Sequence, residues 1–431
     1  MKVVKSDRVN PFGGINFVIE ELDRLGVGKV LNSELPSLAA QSKYDWRDLL
    51  YSFWSVFFCG GDCSEDLAVN LRHYLSNHPY LNLPSPDRVL DRMKGLALPS
   101  VILDTTKGRR DHHFSMHAAL NKLNLKLVKK QLFSQTKPII LDYDNTILFT
   151  EKADARLTYK RNNGYMPGVG IIGDKVVYVE NRNGNSGAQV LQDQTLDRMF
   201  SLLKEEGLKV DVFRADGASY QLFCLSTICR HVDRFFIRAR MSEQLQLAIS
   251  QIKEWKRIEV NGQTLWRGST WFTPFQPVAR RKKQKSQLIK CRLVITKEER
   301  TDGQINLFTK EACNYHPIIT NDDQMSDDEV FHFYNQRGAI EREFDILKND
   351  FGWNNMPFSK LEQNTVYLIL TAMCRNLYGA IIKTFSTTFS NLSPHFRIKK
   401  FIFRFICIPA KWVRQARSWK LRLYTQRAIV T

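Results

Sequence analysis

Four side chains between Ser326 and Lys348 have the types and the spacing to hold a phosphate beside a carboxylate: Tyr334, Arg337, Glu341 and Lys348. Ser326 followed by Glu329 is a capping-box pair, so the segment is expected to begin a helix there. At roughly 100° per residue the four fall within a band about 60° wide. Phe333, Ile340, Phe344, Leu347 and Phe351 form an apolar stripe beside that band. Glu341 is therefore expected at the edge of a packed face, between two cations, with Glu343 on the far side. An ordinary solvated helix with i,i+4 ion pairs also mixes these residue types. The pattern gains meaning only if other acids can reach Glu341.

Two upstream stretches supply them. Residues 137–149, from Lys137 to Phe149, form an apolar run with the character of a strand, and a period of two places Asp142 and Asp144 on the same face. Residues 208–217 read as a second strand that ends at Asp216-Gly217, before a helix expected from about Ser219. A lone strand-end aspartate is commonly a turn or cap residue. Two such strands followed by the Glu341 helix make a set of carboxylates that can converge.

The spacing Tyr-x2-Arg-x3-Glu-x6-Lys, with Asp144-Asn145-Thr146 and Arg214-Ala215-Asp216-Gly217 upstream, resembles the DDE transposases of bacterial insertion sequences, in the group with a Tyr-Arg-Glu-Lys signature. The resemblance is clearest from about Lys137 to Trp353. It implies Asp144, Asp216 and Glu341 as catalytic metal ligands, with Asp142 as the alternative to Asp144. It implies Tyr334, Arg337 and Lys348 as contacts to the DNA backbone near the scissile phosphate. Tyr315 to Asn321 resembles the short strand before the glutamate helix. The block from Arg240 to His316 resembles the group's β-rich insertion, where Trp266 and Trp271 are candidates to stack a flipped base. The chemistry suits the residues. Carboxylate oxygens prefer hard divalent ions, Mg²⁺ with Mn²⁺ as a substitute. Two such ions about 3.5–4 Å apart can activate a water or 3′-hydroxyl and stabilise the leaving oxygen.

The expected architecture is α/β: a ribonuclease-H-like mixed-sheet catalytic core interrupted by a β-rich insertion. Residues 1–130 are expected to be a helical DNA-binding region, 131–240 the first part of the core, 241–316 the insertion and 317–360 the last part with the glutamate helix. Residues 361–431 are expected to be a basic helical C-terminal region. Ser85-Pro86 caps a helix whose Arg88 and Arg92 are candidates for recognition in a helix-turn-helix. Within the core, Gly164 to Glu180 reads as a hairpin around Gly173-Asp174, and Phe235 to Arg238 as a further strand.

Net charge is +19, with 43% hydrophobic residues, enough for a folded core. From Gln363 to Thr431 there are twelve Lys and Arg and no Asp or Glu, so a polyanion is the expected partner, and residues from about Arg397 onward should add DNA affinity. The resemblance implies that this partner is double-stranded DNA, at element ends and targets, bound by a homodimer in a synaptic complex. No signal peptide and no apolar run of about 18 residues is evident, so a membrane role is not expected and a cytoplasmic, nucleoid-associated bacterial protein is. Cys59 and Cys63 lack a second pair, His112-His113 lacks zinc-like partners, and no phosphate-binding Gly-rich motif occurs. The alternatives are a DNA-binding protein derived from a transposase, and a ribonuclease-H-like nuclease that cleaves without joining.

Overall fold

The structure, a computed structural model, describes residues 9–103, 111–133, 138–260, 262–306 and 309–425. Lys137, Asn261 and Arg427 lie outside them. The strands are β1 Val101–Leu103, β2 His112–Ser115, β3 Ile140–Asn145, β4 Leu148–Phe149, β5 Arg156–Leu157, β6 Asn163–Tyr165, β7 Gly168–Ile172 and β8 Lys175–Arg182. They continue as β9 Val212–Ala215, β10 Arg234–Arg238, β11 Lys256–Val260, β12 Gln263–Phe272, β13 Cys291–Glu299, β14 Cys313–Thr320, β15 Ala410–Gln415 and β16 Ser418–Leu423. Eleven of them form one mixed sheet in the order β1-β2-β8-β7-β3-β9-β10-β14-β13-β12-β11. At its centre β3, β7 and β8 are antiparallel neighbours, while β9 runs parallel to both β3 and β10. This is a mixed α/β protein whose central order is consistent with a ribonuclease-H-like core.

Local chemistry explains the centre. β7 and β8 turn at Gly173-Asp174, where Gly173 adopts φ +63°, a conformation costly for any residue with a Cβ. Both strands are buried along their whole length, because helices cover both faces of the sheet. One face receives Val169, Ile171, Val176 and Val179 into a core shared with the helices Trp46–Phe58 and Leu361–Thr388. The other receives Ile172, Val177 and Tyr178 against the helices Gln192–Glu205 and Leu222–His231. β2 pairs with β8 only at its far end. Side-chain amides complete the exposed ladder. Asn376 accepts from the Val176 N–H and donates to the Val176 carbonyl, and Asn121 does the same at Val179. Burying these backbone groups without partners would cost about 1–3 kcal/mol each.

One expectation, that residues 361–431 form a basic helical region, changes here. The helix Leu361–Thr388 is long and apolar enough to cross a membrane, but it is buried inside the protein, packed on β8 and on the N-terminal helices. Its twenty-eight residues escape a simple run search because Arg375 and several Asn and Thr interrupt them. Beyond it, Ile398, Phe401, Phe405, Ile406 and Ile408 also enter the core, so the chain after Arg397 is no detachable tail, and among the described residues it runs on into the β15–β16 ribbon. The block from Arg240 to His316 holds β11 to β13 and the start of β14. β14 pairs antiparallel with β10 and so extends the central sheet.

Candidate active site

The carboxyl ends of β3 and β9 lie side by side, since Tyr143 pairs with Ala215. Parallel neighbours of this kind leave a crevice at their carboxyl ends, where the following loops diverge. Asp144 is next to the end of β3, and Asp216 is the first residue after β9. Between Asp142 and Asp144, Tyr143 points into the opposite core. The two aspartates face residues 333–337 but meet different partners. Arg214 holds Asp142 with two bonds of 2.7 Å and donates a third to the Phe333 carbonyl. That closed ion pair ties β3 and β9 to the helix beneath the site. Asp144 accepts from Arg337 at 3.0 Å and from the Asn145 N–H at 2.7 Å, and it keeps access to solvent at 17% exposure.

Glu341 arrives on a helix that is not continuous. The segment Asp327–Asn335 begins with both arms of the Ser326–Glu329 capping box, then a 3₁₀ turn over Gln336–Gly338 separates it from the helix Ala339–Asp350. The expectation of one unbroken helix is corrected by this tighter turn, at a glycine that lowers helix propensity. Glu341 stands in the first turn after the break, 73% exposed, with Arg337 at 3.8 Å. Glu343 does not line the cavity that Glu341 lines, and it is buried and paired with Arg375.

Asp144, Asp216, Glu341, Arg337 and Lys348 line one cavity of about 980 Å³. Burial and the neighbouring Asp216 push the Asp144 carboxyl up to about 6, against the pull of Arg337. Burial opposes the charge of Arg337, but Tyr334, Asp144 and Asp216 hold its pKa above the ordinary value. Burial lowers that of Lys348. The donor set is oxygen-rich and hard, and it fits a divalent cation. The three carboxylates do not all lie within 4.8 Å of one another, whereas Asp62, Cys63 and Asp66 do, on a loop where Asp66 accepts the N–H groups of residues 62 and 63. Mutual repulsion and the exposed Glu341 account for the open arrangement of the three.

Several expected contacts lie elsewhere. Tyr334 is 6% exposed, and its hydroxyl donates to the Ala215 carbonyl at 3.4 Å, so it supports β9 from below rather than facing the cavity. Trp266 lines a different hollow with Lys297 and Arg300, and the exposed Trp271 stacks under Lys290. Neither lines the acid cavity. Arg88 and Arg92 lie on the helix Pro86–Lys94, whose Ser85 cap accepts from the Arg88 N–H. The preceding helix ends at Leu75 and residues 76–85 intervene, too long a connection for the tight turn of a helix-turn-helix. The cavity also includes Tyr159 and Lys160, beside the small β4-β6-β5 sheet, and Arg240, two residues past β10. Arg240 was findable, since it follows a strand parallel to β9. Nothing local in the Tyr159-Lys160 turn announced its neighbours.

A structural likeness exists to a piggyBac transposase synaptic complex with hairpin DNA, at 11% identity and a TM-score of 0.43, covering 93% of this chain and 80% of that one. No curated protein matches the chain. The family model described as Transposase DDE domain group 1 matches residues 40–429. With nearly its whole length matched, the chain belongs to the transposase DDE domain group 1 family, whose members use divalent metal ions.

Proposed function

We propose that this chain cuts DNA at the ends of a bacterial insertion sequence and joins the freed 3′-hydroxyls to target DNA. The observation that carries this reading is the convergence of Asp144, Asp216 and Glu341 with Arg337 and Lys348 on one open cavity. Asp144, Asp216 and Glu341 would hold the divalent ions, Mg²⁺ in the first instance. The ions supply activation of the attacking oxygen and neutralise charge on the leaving oxygen. Arg337 offers a planar fork to a phosphate and Lys348 a point charge, both on the wall where charge develops. Water attack at a phosphodiester releases a 3′-hydroxyl, which then attacks a target phosphodiester and displaces its 3′-oxygen. Tyr334 positions the β9 end instead of touching the substrate. Ends are brought together by a homodimer acting on nucleoid DNA.

The test uses duplexes carrying the DNA that flanks the reading frame. Asp144→Ala, Asp216→Ala and Glu341→Ala should each bring Mg²⁺-dependent cleavage below detection while duplex binding stays within a few-fold, because phosphate contacts supply most of the affinity. Cleavage at wild-type rate by any of the three would remove that residue from the reaction. Cleavage without joined products would favour a nuclease.

A further inference from the structure

Three parallel strands end at one rim of the sheet, and each brings a charged side chain there. β9 runs parallel to β3 on one side and to β10 on the other, with Ala215 level with both Tyr143 and Ile237. The rim therefore reads acid, acid, base: Asp144 near the end of β3, Asp216 just after β9 and Arg240 two residues past β10. Neighbouring strands lie about 4.8 Å apart. Asp216 thus has Asp144 on one side and Arg240 on the other, and all three line the acid cavity.

The backbone at Arg240 is held from both directions. Ala239 donates its N–H to the Pro317 carbonyl at 3.0 Å, which ties the chain to β14. Ser242 caps the next helix, Glu243–Ser250, by accepting from the Leu245 N–H. The Arg240 side chain then crosses Gly217. A Cβ at that glycine would lie 3.1 Å from the Arg240 Cγ and 3.2 Å from its Nε, so the missing side chain leaves the arginine its place beside Asp216. Asp216 engages one oxygen with the Ala218 N–H at 2.9 Å. The Arg240 guanidinium is exposed, and among the described residues it makes no ion pair and no hydrogen bond. Arg337, by contrast, is held by Asp144 at 3.0 Å, and it stands with Lys348 on the glutamate side of the cavity.

We propose that Arg240 binds a phosphate of the DNA strand being cut, next to the scissile one on the Asp216 side, and so is a further catalytic residue. The inference rests on the transposase reading and adds a residue to it. An exposed guanidinium at this rim has two available partners. Pairing with Asp216 across solvent is worth little, and a divalent ion on Asp216 displaces it. A phosphate offers the planar fork two oxygens at once. A strand laid along the rim, with its scissile phosphate over the carboxylates, brings the neighbouring phosphate to Arg240. Arg337 and Lys348 then serve one side of the reacting bond and Arg240 the other.

The experiment uses the full chain with Mg²⁺ and duplexes carrying the DNA that flanks the reading frame, and cleavage rates are measured in preformed complexes. In a set of these duplexes, one linkage of the cut strand at a time is made a neutral methylphosphonate. Arg240→Gln should slow cleavage of the unmodified duplex roughly tenfold, the scale of one charge-assisted hydrogen bond. Its melting temperature should not change, because the side chain is exposed and unpaired. Arg240→Lys should recover part of the rate, since it keeps the charge and loses the fork. At one linkage beside the scissile bond, the methylphosphonate should slow the wild type by a similar factor and slow Arg240→Gln no further, because both changes remove the same contact. Wild-type cleavage by Arg240→Gln would overturn the inference and leave the transposase reading standing. So would a methylphosphonate penalty that adds in full to the substitution at every linkage. Asp216→Ala that cuts at the wild-type rate would instead overturn the transposase reading of the site.

Discussion

Two sets of acids are carried by β3, the end of β9 and the helix Ala339–Asp350, and the fold treats them in opposite ways. Asp142 and Glu343 are buried, and each is held by an arginine through two bonds, Arg214 at 2.7 Å and Arg375 at 3.1 Å. Asp144, Asp216 and Glu341 share mainly one arginine, Arg337, which reaches Asp144 at 3.0 Å and Glu341 at 3.8 Å. The contrast separates carboxylates closed in ion pairs from carboxylates left open to a cavity. Where every acid oxygen is matched by a guanidinium, the pair belongs to the scaffold. Where acids line an open cavity and their oxygens are not matched by guanidinium bonds, they remain free to take a cation from outside. Asp142 and Asp144 show this over two residues of one strand.

The largest effect should come from breaking a closed pair. Arg214→Met leaves Asp142 buried and unpaired, which should cost about 3–5 kcal/mol of stability. Asp216→Asn, in the open set, should cost nothing measurable or add a little, because it relieves repulsion on Asp144. Chemical denaturation of the two variants tests the contrast directly, and equal losses would erase the distinction. Next in size, Arg337→Ala and Lys348→Ala should each slow cleavage by roughly 10²-fold in preformed protein–DNA complexes, as for removal of one transition-state donor. Normal cleavage with a lowered melting temperature would make them helix supports instead.

An effect smaller at any one pH concerns a buried titratable group with no ion pair among the described residues. Burial, with Arg47 nearby, lowers the pKa of His78 to about 4, and its Nδ1 accepts the Tyr80 N–H at 3.2 Å. The unfolded chain takes up this proton near pH 6.5, but the folded chain resists it until about 4. Stability should therefore fall as pH drops through that window, by at most about 1.4 kcal/mol per unit. His78→Asn, which can still accept from Tyr80, should show a shallower decline between about pH 6.5 and 4.5. An identical decline would assign the slope to other groups.

Much of the site was legible because its residues are fixed by local signals. A capping box marked Ser326, strand alternation put Asp142 and Asp144 on one face, and a terminal glycine marked the end of β9. What the sequence left open is decided by partners. Period two cannot tell which aspartate Arg214 will claim. Helical periodicity assumed roughly 100° per residue through Gln336–Gly338, where the chain tightens into a 3₁₀ turn. The resemblance placed Tyr334 with the phosphate contacts, whereas packing beneath β9 buries it. The charge of the last seventy or so residues drew attention away from their apolar spacing, so the helix Leu361–Thr388 was expected in a basic region and not in the core. Its Asn376 is polar in sequence yet serves the edge of β8.

Which carboxylates hold the ions can be read by manganese binding, followed by electron paramagnetic resonance of the protein with end DNA bound. The open acids should be the ion site and the compact Asp62, Cys63 and Asp66 group should not. Asp144→Asn and Asp216→Asn should each abolish tight Mn²⁺ binding, while Asp62→Asn leaves it as in the wild type. Tight binding that survives the first two variants and is lost in the third would contradict the assignment of the open acids as metal ligands.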